Sequence, residues 1–224
     1  MKSGFEAALQ NPLHLHLAPS RWKELGVDYA IYVEPPKAPG LQEVIPVLRR
    51  KVRADFKNGA SAQYSGLAGN GLKTGRKTQS FVDRDSSLDD DDLPDLLAFY
   101  RLIATRNLEP IGYCTFRLHL ADWCGYEVEV DEVWLEPVYR RRGIGQEMAH
   151  LAGDIAMKTL LEIEERLLAA SSAPQPLDVE VCADVYSHSG ETFLKDVADS
   201  LALLLETFDF TALQIPDVGC HPRW

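Results

Sequence analysis

The chain has 224 residues, room for one large domain or one domain with appendages. Apolar residues make up 46% of it, enough to build a sizeable core. The formal net charge of −11 argues against non-specific nucleic-acid binding, which needs clustered Lys and Arg against phosphates. No stretch approaches the ~20 uninterrupted apolar residues of a membrane span.

The first twenty residues lack the continuous apolar core of a secretory signal, and a cytoplasmic protein is expected. His14 and His16 lie two apart, as on one side of a strand; two ligands without a third do not make a metal site, and no metal is expected. "VDYAIYVEPP" (27–36) reads as a short strand running into a Pro-rich stop. "VIPVLRRKVRADF" (44–56) puts Val44, Leu48, Val52 and Phe56 on one helical stripe. Proline is tolerated only in a first helical turn, so this helix should start close to Pro46.

Residues 57–92 show no sustained periodicity and are rich in Gly, Ser, Asn, Lys and Asp, as in a flexible insert. Within them "GLAGNGLKT" (66–74) nearly spells a nucleotide-binding P-loop. Leu72 intervenes before Lys73, and neither a buried strand nor a helix signal flanks it, so loop composition is the better account. The acidic run "VDRDSSLDDDDLPD" (82–95) reads as a solvated loop, with attraction of a cationic substrate or basic partner as the alternative. Cys114, Cys124, Cys182 and Cys220 form no C-x-x-C pair and are read as reduced thiols, partly buried.

Two strands are expected around a turn at Arg106 to Glu109. A third, "YEVEVDEVWLEP" (126–137), alternates almost without a break. Strict alternation would place Val128, Val130, Glu132 and Trp134 on one face and Glu127, Glu129, Asp131, Val133 and Leu135 on the other. From Gly145 to about Ala170 the period becomes helical, with Met148, Leu151, Ile155, Leu160, Ile163 and Leu167 near one side. A strand follows at 177–186, a second helix at 191–208, and room for one short strand in the tail. A meander followed by a β-α-β unit gives an α/β or α+β domain with a mixed sheet.

Between the third strand and the long helix stands "LEPVYRRRGIG" (135–145). The first amides of a helix have no intrahelical acceptor and carry the positive end of the helix dipole. Gly143 and Gly145 would let a ligand approach the backbone, and Arg140, Arg141 and Arg142 can add ion pairs at the rim. Such a turn suits an anion such as a phosphate.

The nine residues Pro137 to Gly145 resemble the signature of the GNAT superfamily of acyl-CoA N-acyltransferases, Arg/Gln-x-x-Gly-x-Gly/Ala, with Arg140, Gly143 and Gly145 at its defined positions. Leu135, Pro137 and Tyr139 fit the wider pattern, and Gly112 matches a glycine of the family's third strand. The resemblance spans about residues 94–206 and implies one GNAT-like domain across 1–224. Its sheet would be mixed and mostly antiparallel, flanked by helices, with splayed central strands.

The resemblance further implies direct transfer of an acetyl or short acyl group from acetyl-CoA to a primary amine. Pantetheine would lie against backbone at Val133 and Leu135. The pyrophosphate would sit on the turn from Arg140 through Arg141, Arg142, Gly143 and Ile144 to Gly145 and Gln146. Glu129 is the first choice of base, sharing a strand face with Leu135, and Asp131 can act through a water. Glu127, Asp131 and Glu132 would make the cleft negative and attract a cationic amine, whether small molecule or protein. The family's Asn and helical Tyr are absent from "VYSHSGETFLKDVADSLALLLETF"; Tyr186, Ser189 or His188 would have to supply the acid. That departure motivates an alternative, a CoA-binding sensor or interaction module without transfer. A homodimer is compatible with either.

Overall fold

The computed structural model describes residues 11–34, 41–57, 96–121, 125–170 and 173–224. The near P-loop, the acidic run, Cys124 and all of the 57–92 insert but Lys57 lie outside the described residues.

β1 (Ser20–Glu24) and β2 (Val27–Glu34) form a hairpin. Its two-residue turn, Leu25 and Gly26, has positive φ at both positions (48° and 80°), the hand that matches strand twist. α1 (Leu41–Lys57) begins five residues before Pro46, rather than close to it. The proline stands in the second turn, where its missing N–H leaves one intrahelical bond unmade.

β3 (Leu96–Arg106), β4 (Glu109–Ala121) and β5 (Gly125–Leu135) are the expected antiparallel meander. Asn107 and Leu108 turn the first corner, both at positive φ. A 3-10 turn at Pro137–Tyr139 leads to α2 (Ile144–Ala169). Then come β6 (Gln175–Pro176), β7 (Asp178–Asp184), α3 (His188–Leu205), β8 (Leu213–Gln214) and β9 (Val218–Arg223). α3 starts three residues earlier than its apolar period suggests, because Ser187 accepts the Gly190 N–H (3.1 Å) and caps it.

The main sheet runs β1-β2-β3-β4-β5-β7-β9. Neighbours are antiparallel as far as β5; β5 with β7 and β7 with β9 are parallel. This is the mixed, mostly antiparallel sheet expected. One face packs α2 and α3 through a large cluster that includes Phe116, Leu118, Val128, Val130, Met148, Leu160 and Leu201. The other carries α1 through Leu48, Val52, Ile103, Tyr113 and Trp134.

That second cluster corrects the face assignment of β5. Phe116 pairs with Val130 and Thr115 with Glu132, so Asp131 is the extra residue of a β-bulge. Beyond it the alternation reverses: Trp134 turns to α1, while Val133 and Leu135 join the cluster under α2. Glu129 and Leu135 therefore do not share a face. No helix among the described residues is long and apolar enough to cross a membrane.

Candidate functional site

β5 pairs with β7 only from Gly125–Asp178 to Val130–Ala183. The bulge follows at once, and residues 131–135 of β5 run on without a β7 partner. β7 instead stays with β9, and the Val185 N–H donates to the Arg223 carbonyl (2.7 Å). A parting of two parallel strands thus opens at Asp131. On its far side β4 approaches closely: a Cβ at Gly112 would stand 2.7 Å from both Leu135 Cδ1 and the Trp134 carbonyl oxygen. Only glycine fits there without a shift.

The turn after β5 is held from below. Asp55 of α1, side chain 3% exposed, accepts from Trp134 Nε1 (3.0 Å) and Arg140 Nη2 (2.8 Å). Arg140 Nε also donates to the Leu135 carbonyl (2.8 Å), and its backbone N–H to the Pro137 carbonyl (3.3 Å). Its guanidinium is turned inward, which corrects its expected place at the rim: it fixes the turn. Lys51 of α1 adds bonds to Glu109 (2.6 Å), the Pro110 carbonyl (2.9 Å) and Glu136 (3.0 Å). Arg106 and Arg142 both stack over Tyr139.

Beyond that anchor the surface is bare. Gly143 takes the N-cap of α2 at φ 79°, and no side chain caps the helix. A Cβ at Gly143 or Gly145 would meet nothing within 4 Å. Ile144 is buried beneath; Arg141, Arg142, Gly143 and Gln146 are exposed. The first amides of a helix of 26 residues have no capping side chain here, and two exposed arginines, Arg141 and Arg142, immediately precede them.

The expected catalytic carboxylates lie together but are not free. Glu129 contacts Arg223 Nη2 (3.0 Å), Arg117 Nη2 (3.2 Å) and His119 Nε2 (3.4 Å). His119 foremost, with Arg117 and Arg223, holds the Glu129 carboxylate down at about 2 against the opposing effect of burial. Asp131 is bonded by Arg117 through Nε (3.0 Å) and Nη2. The cluster stands on the α1 side of the sheet, at the foot of the strand parting. Its carboxylates are matched by two guanidinium groups, so of the three residues expected to make the cleft negative, Glu127, Asp131 and Glu132, Asp131 is neutralised by Arg117.

Tyr186 follows β7 with 63% of its surface exposed, and His188 stacks edge-on against Trp224 (5.8 Å). His14 and His16 do not line a strand: His14 Nδ1 (2.9 Å) and His16 Nε2 (3.9 Å) face Glu162 of α2. Among the described residues no cluster of three or more potential ligands is arranged for a metal ion. Asp55, His119 and Arg223 were not legible as site residues. Asp55 carries only its place on the turn of α1 beyond Val52, and His119 only its alternation with Arg117 on β4.

Residues 74–174 match the model of the acetyltransferase (GNAT) family, so the resemblance carried by residues 137–145 holds, and acyl transfer is supported at the level of the family. No curated protein matches the chain. Three aminoglycoside acetyltransferase structures align with it. That of meta-AAC0020 from an uncultured soil metagenomic sample, with sisomicin, is 13% identical with a TM-score of 0.35, over 77% of this chain and 86% of its own. HMB0005, also from an uncultured soil metagenomic sample, is 16% identical with a TM-score of 0.28, over 64% and 74%. AAC(6')-Iy in complex with CoA is 13% identical with a TM-score of 0.31, over 85% and 93%.

Proposed function

We propose that this chain, of the GNAT acetyltransferase family over residues 74–174, moves an acetyl or short acyl group from an acyl-CoA to a primary amine by direct transfer. The observation that carries the proposal is the uncapped start of α2, with open space at Gly143 and Gly145, directly beside the parting of β5 and β7. A diphosphate suits bare amides at a helix N-terminus, with Arg141 and Arg142 as exposed cations at its rim. The β5 edge at Val133 and Leu135, left without a β7 partner, suits the amide-bearing pantetheine.

The thioester supplies the electrophile. The chain must orient the amine, remove its proton and return one to the leaving sulfur. Tyr186, exposed at the end of β7, is the proposed donor to the sulfur. Glu129 and Asp131 act as fixed charges rather than as free bases, because each is already bound by cations.

Calorimetric titration of CoA into the parent and a Gly145→Glu variant tests the coenzyme site. Gly145 has ordinary φ and open space, so the variant should fold and bind CoA at least tenfold more weakly. Equal affinity would show that the turn is not the phosphate site. Thiol release from acetyl-CoA over peptides, polyamines and aminoglycosides then tests transfer. Binding without turnover across that panel would favour a CoA sensor, the alternative that the missing family Asn and Tyr motivate.

A further inference from the structure

We infer that His119 is the group that takes the proton from the acceptor amine, with Glu129 as its ionic partner; this rests on the acyl-transfer proposal. Four observations place it. His119 lies on β4 opposite Glu127, and its Nε2 faces Glu129 Oε2 at 3.4 Å. Its side chain is 13% exposed, and Nε2 is buried without a hydrogen-bond partner, a polar atom left for a ligand to engage. Glu129 pairs laterally with Cys182, one step before the last β5–β7 pair, so the histidine stands at the foot of the parting. The carboxylate beside it is fixed by Arg117 and Arg223.

The electrostatics favour the imidazole over the carboxylates. An alkylammonium of ordinary pKa, about 10.4, must hand its proton uphill by about eight pH units to a carboxylate at the value Glu129 holds, which makes that carboxylate a poor acceptor. The imidazolium so formed faces a carboxylate that is already ionised. At 3.4 Å the ring nitrogen and the carboxylate are in ion-pair range without a hydrogen bond, so the carboxylate acts on the ring through its charge. The charged or titratable groups on the same face include Arg101 on β3, Arg117 on β4, Glu127, Glu129, Asp131 and Glu132 on β5, Glu180, Cys182 and Asp184 on β7, and His221 and Arg223 on β9. On β3 the residue paired with His119 itself is Leu96, and Phe99 pairs with Arg117.

The step balances without a further reactant. One ammonium proton passes to the unprotonated ring nitrogen. The freed lone pair forms the N–C bond as the C–S bond breaks. The sulfur's electron pair takes a proton from Tyr186 or water; the new amide nitrogen sheds its second proton to solvent, which reprotonates Tyr186, and solvent also discharges the imidazolium.

The experiment measures kcat/KM against pH for the parent, His119→Gln and Glu129→Gln, using acetyl-CoA and whichever panel amine turns over. CoA calorimetry and thermal unfolding run alongside. His119→Gln should lose at least a hundredfold in kcat and lose the acid limb of the profile, with CoA affinity unchanged. Glu129→Gln should keep a limb but displace it to lower pH, and the ring signal of His119 followed by NMR should titrate at lower pH in the same variant. Retention of the parent's acid limb in His119→Gln, with turnover within threefold, overturns the assignment. Absence of turnover in the parent with every amine overturns the transfer proposal itself, a result distinct from the first.

Discussion

Replacing Asp55 by Ala should be among the most destabilising single changes near the turn, and the structure allows its size to be worked out. Asp55 is 3% exposed and bonds two donors on separate segments, Trp134 Nε1 at 3.0 Å and Arg140 Nη2 at 2.8 Å. Removing one partner of a buried ion pair costs about 3–5 kcal/mol, because the other charge stays behind uncompensated. Arg140 is 28% exposed and keeps its bond to the Leu135 carbonyl, so water and that carbonyl relieve part of it, leaving about 2 kcal/mol. The orphaned indole N–H adds about 1 kcal/mol. Asp55→Ala should therefore lower unfolding free energy by about 3 kcal/mol, a large share of the typical 5–15 kcal/mol. Urea unfolding at neutral pH measures it. Asp55→Asn, which keeps an acceptor but no charge, should cost about half as much. The double variant Asp55→Ala, Arg140→Ala should cost clearly less than the sum of the singles, since the second change removes the stranded charge. A cost under about 1 kcal/mol for Asp55→Ala, or strict additivity in the cycle, would refute the idea that this pair anchors the turn.

Glu129 bears on acid stability. Its folded carboxylate stands at about 2 against the ordinary 4.5, so it stabilises the fold fully above 4.5, and the contribution is lost as pH falls from 4.5 through 2. The contribution is about 2 kcal/mol after allowance for solvent screening. Glu129→Gln should flatten the acid limb of stability over that range, and an unchanged limb in chemical unfolding would count against the ion-pair cage. Gly112→Ala should cost about 1–3 kcal/mol, because the new methyl meets a backbone oxygen that cannot swing away; a thermal midpoint equal to the parent's would contradict that close approach. Glu164 accepts the N–H groups of Thr211 (2.6 Å), Ala212 (2.8 Å) and Leu213 (2.8 Å). Glu164→Ala should release the segment around β8, read as faster amide exchange at those three residues and about 2–4 kcal/mol of lost stability. Protected amides in the variant would dismiss the role.

Local rules carried the regular elements far. The alternation of 126–137, the period of 145–170 and the Asn107–Leu108 corner were legible because each reflects a geometry internal to one segment. The hairpin strand Ser20–Glu24 was not, since only Trp22 faces the larger core and its pattern is mostly exposed. Pro46 misplaced the start of α1 because a rule about backbone donors was applied without the packing that overrides it, here Val44 and Ile45 ahead of the proline against the cluster of Leu48, Val52, Ile103 and Trp134. The turn was legible for a chemical reason: strand, glycines, helix is a short-range pattern whose bare amides follow from its order. Its support was not. Asp55 and Arg140 lie 85 positions apart, and nothing in either neighbourhood announces the pairing.

The bulge at Asp131 is what a strict period-2 reading of β5 cannot see, and it joins the separate parts of the site. One inserted residue places Asp131 and Glu132 consecutively on the same face and reverses every side chain after them. Upstream, Glu129 stays on the α1 side with Arg117, His119 and Arg223. Downstream, Trp134 comes to that same side, where Asp55 receives its indole N–H and grips Arg140. Without the bulge Trp134 would point under α2, Asp55 would lose one donor, and β5 could keep pace with β7. The end of β5–β7 pairing and the anchored turn therefore both follow on one local irregularity, whose extra residue, Asp131, also binds Arg117 of the upstream cluster. Deleting Asp131 should turn Trp134 away from Asp55 and weaken CoA binding while leaving Glu129 on its face; equal CoA affinity by calorimetry in the deletion variant would refute the link.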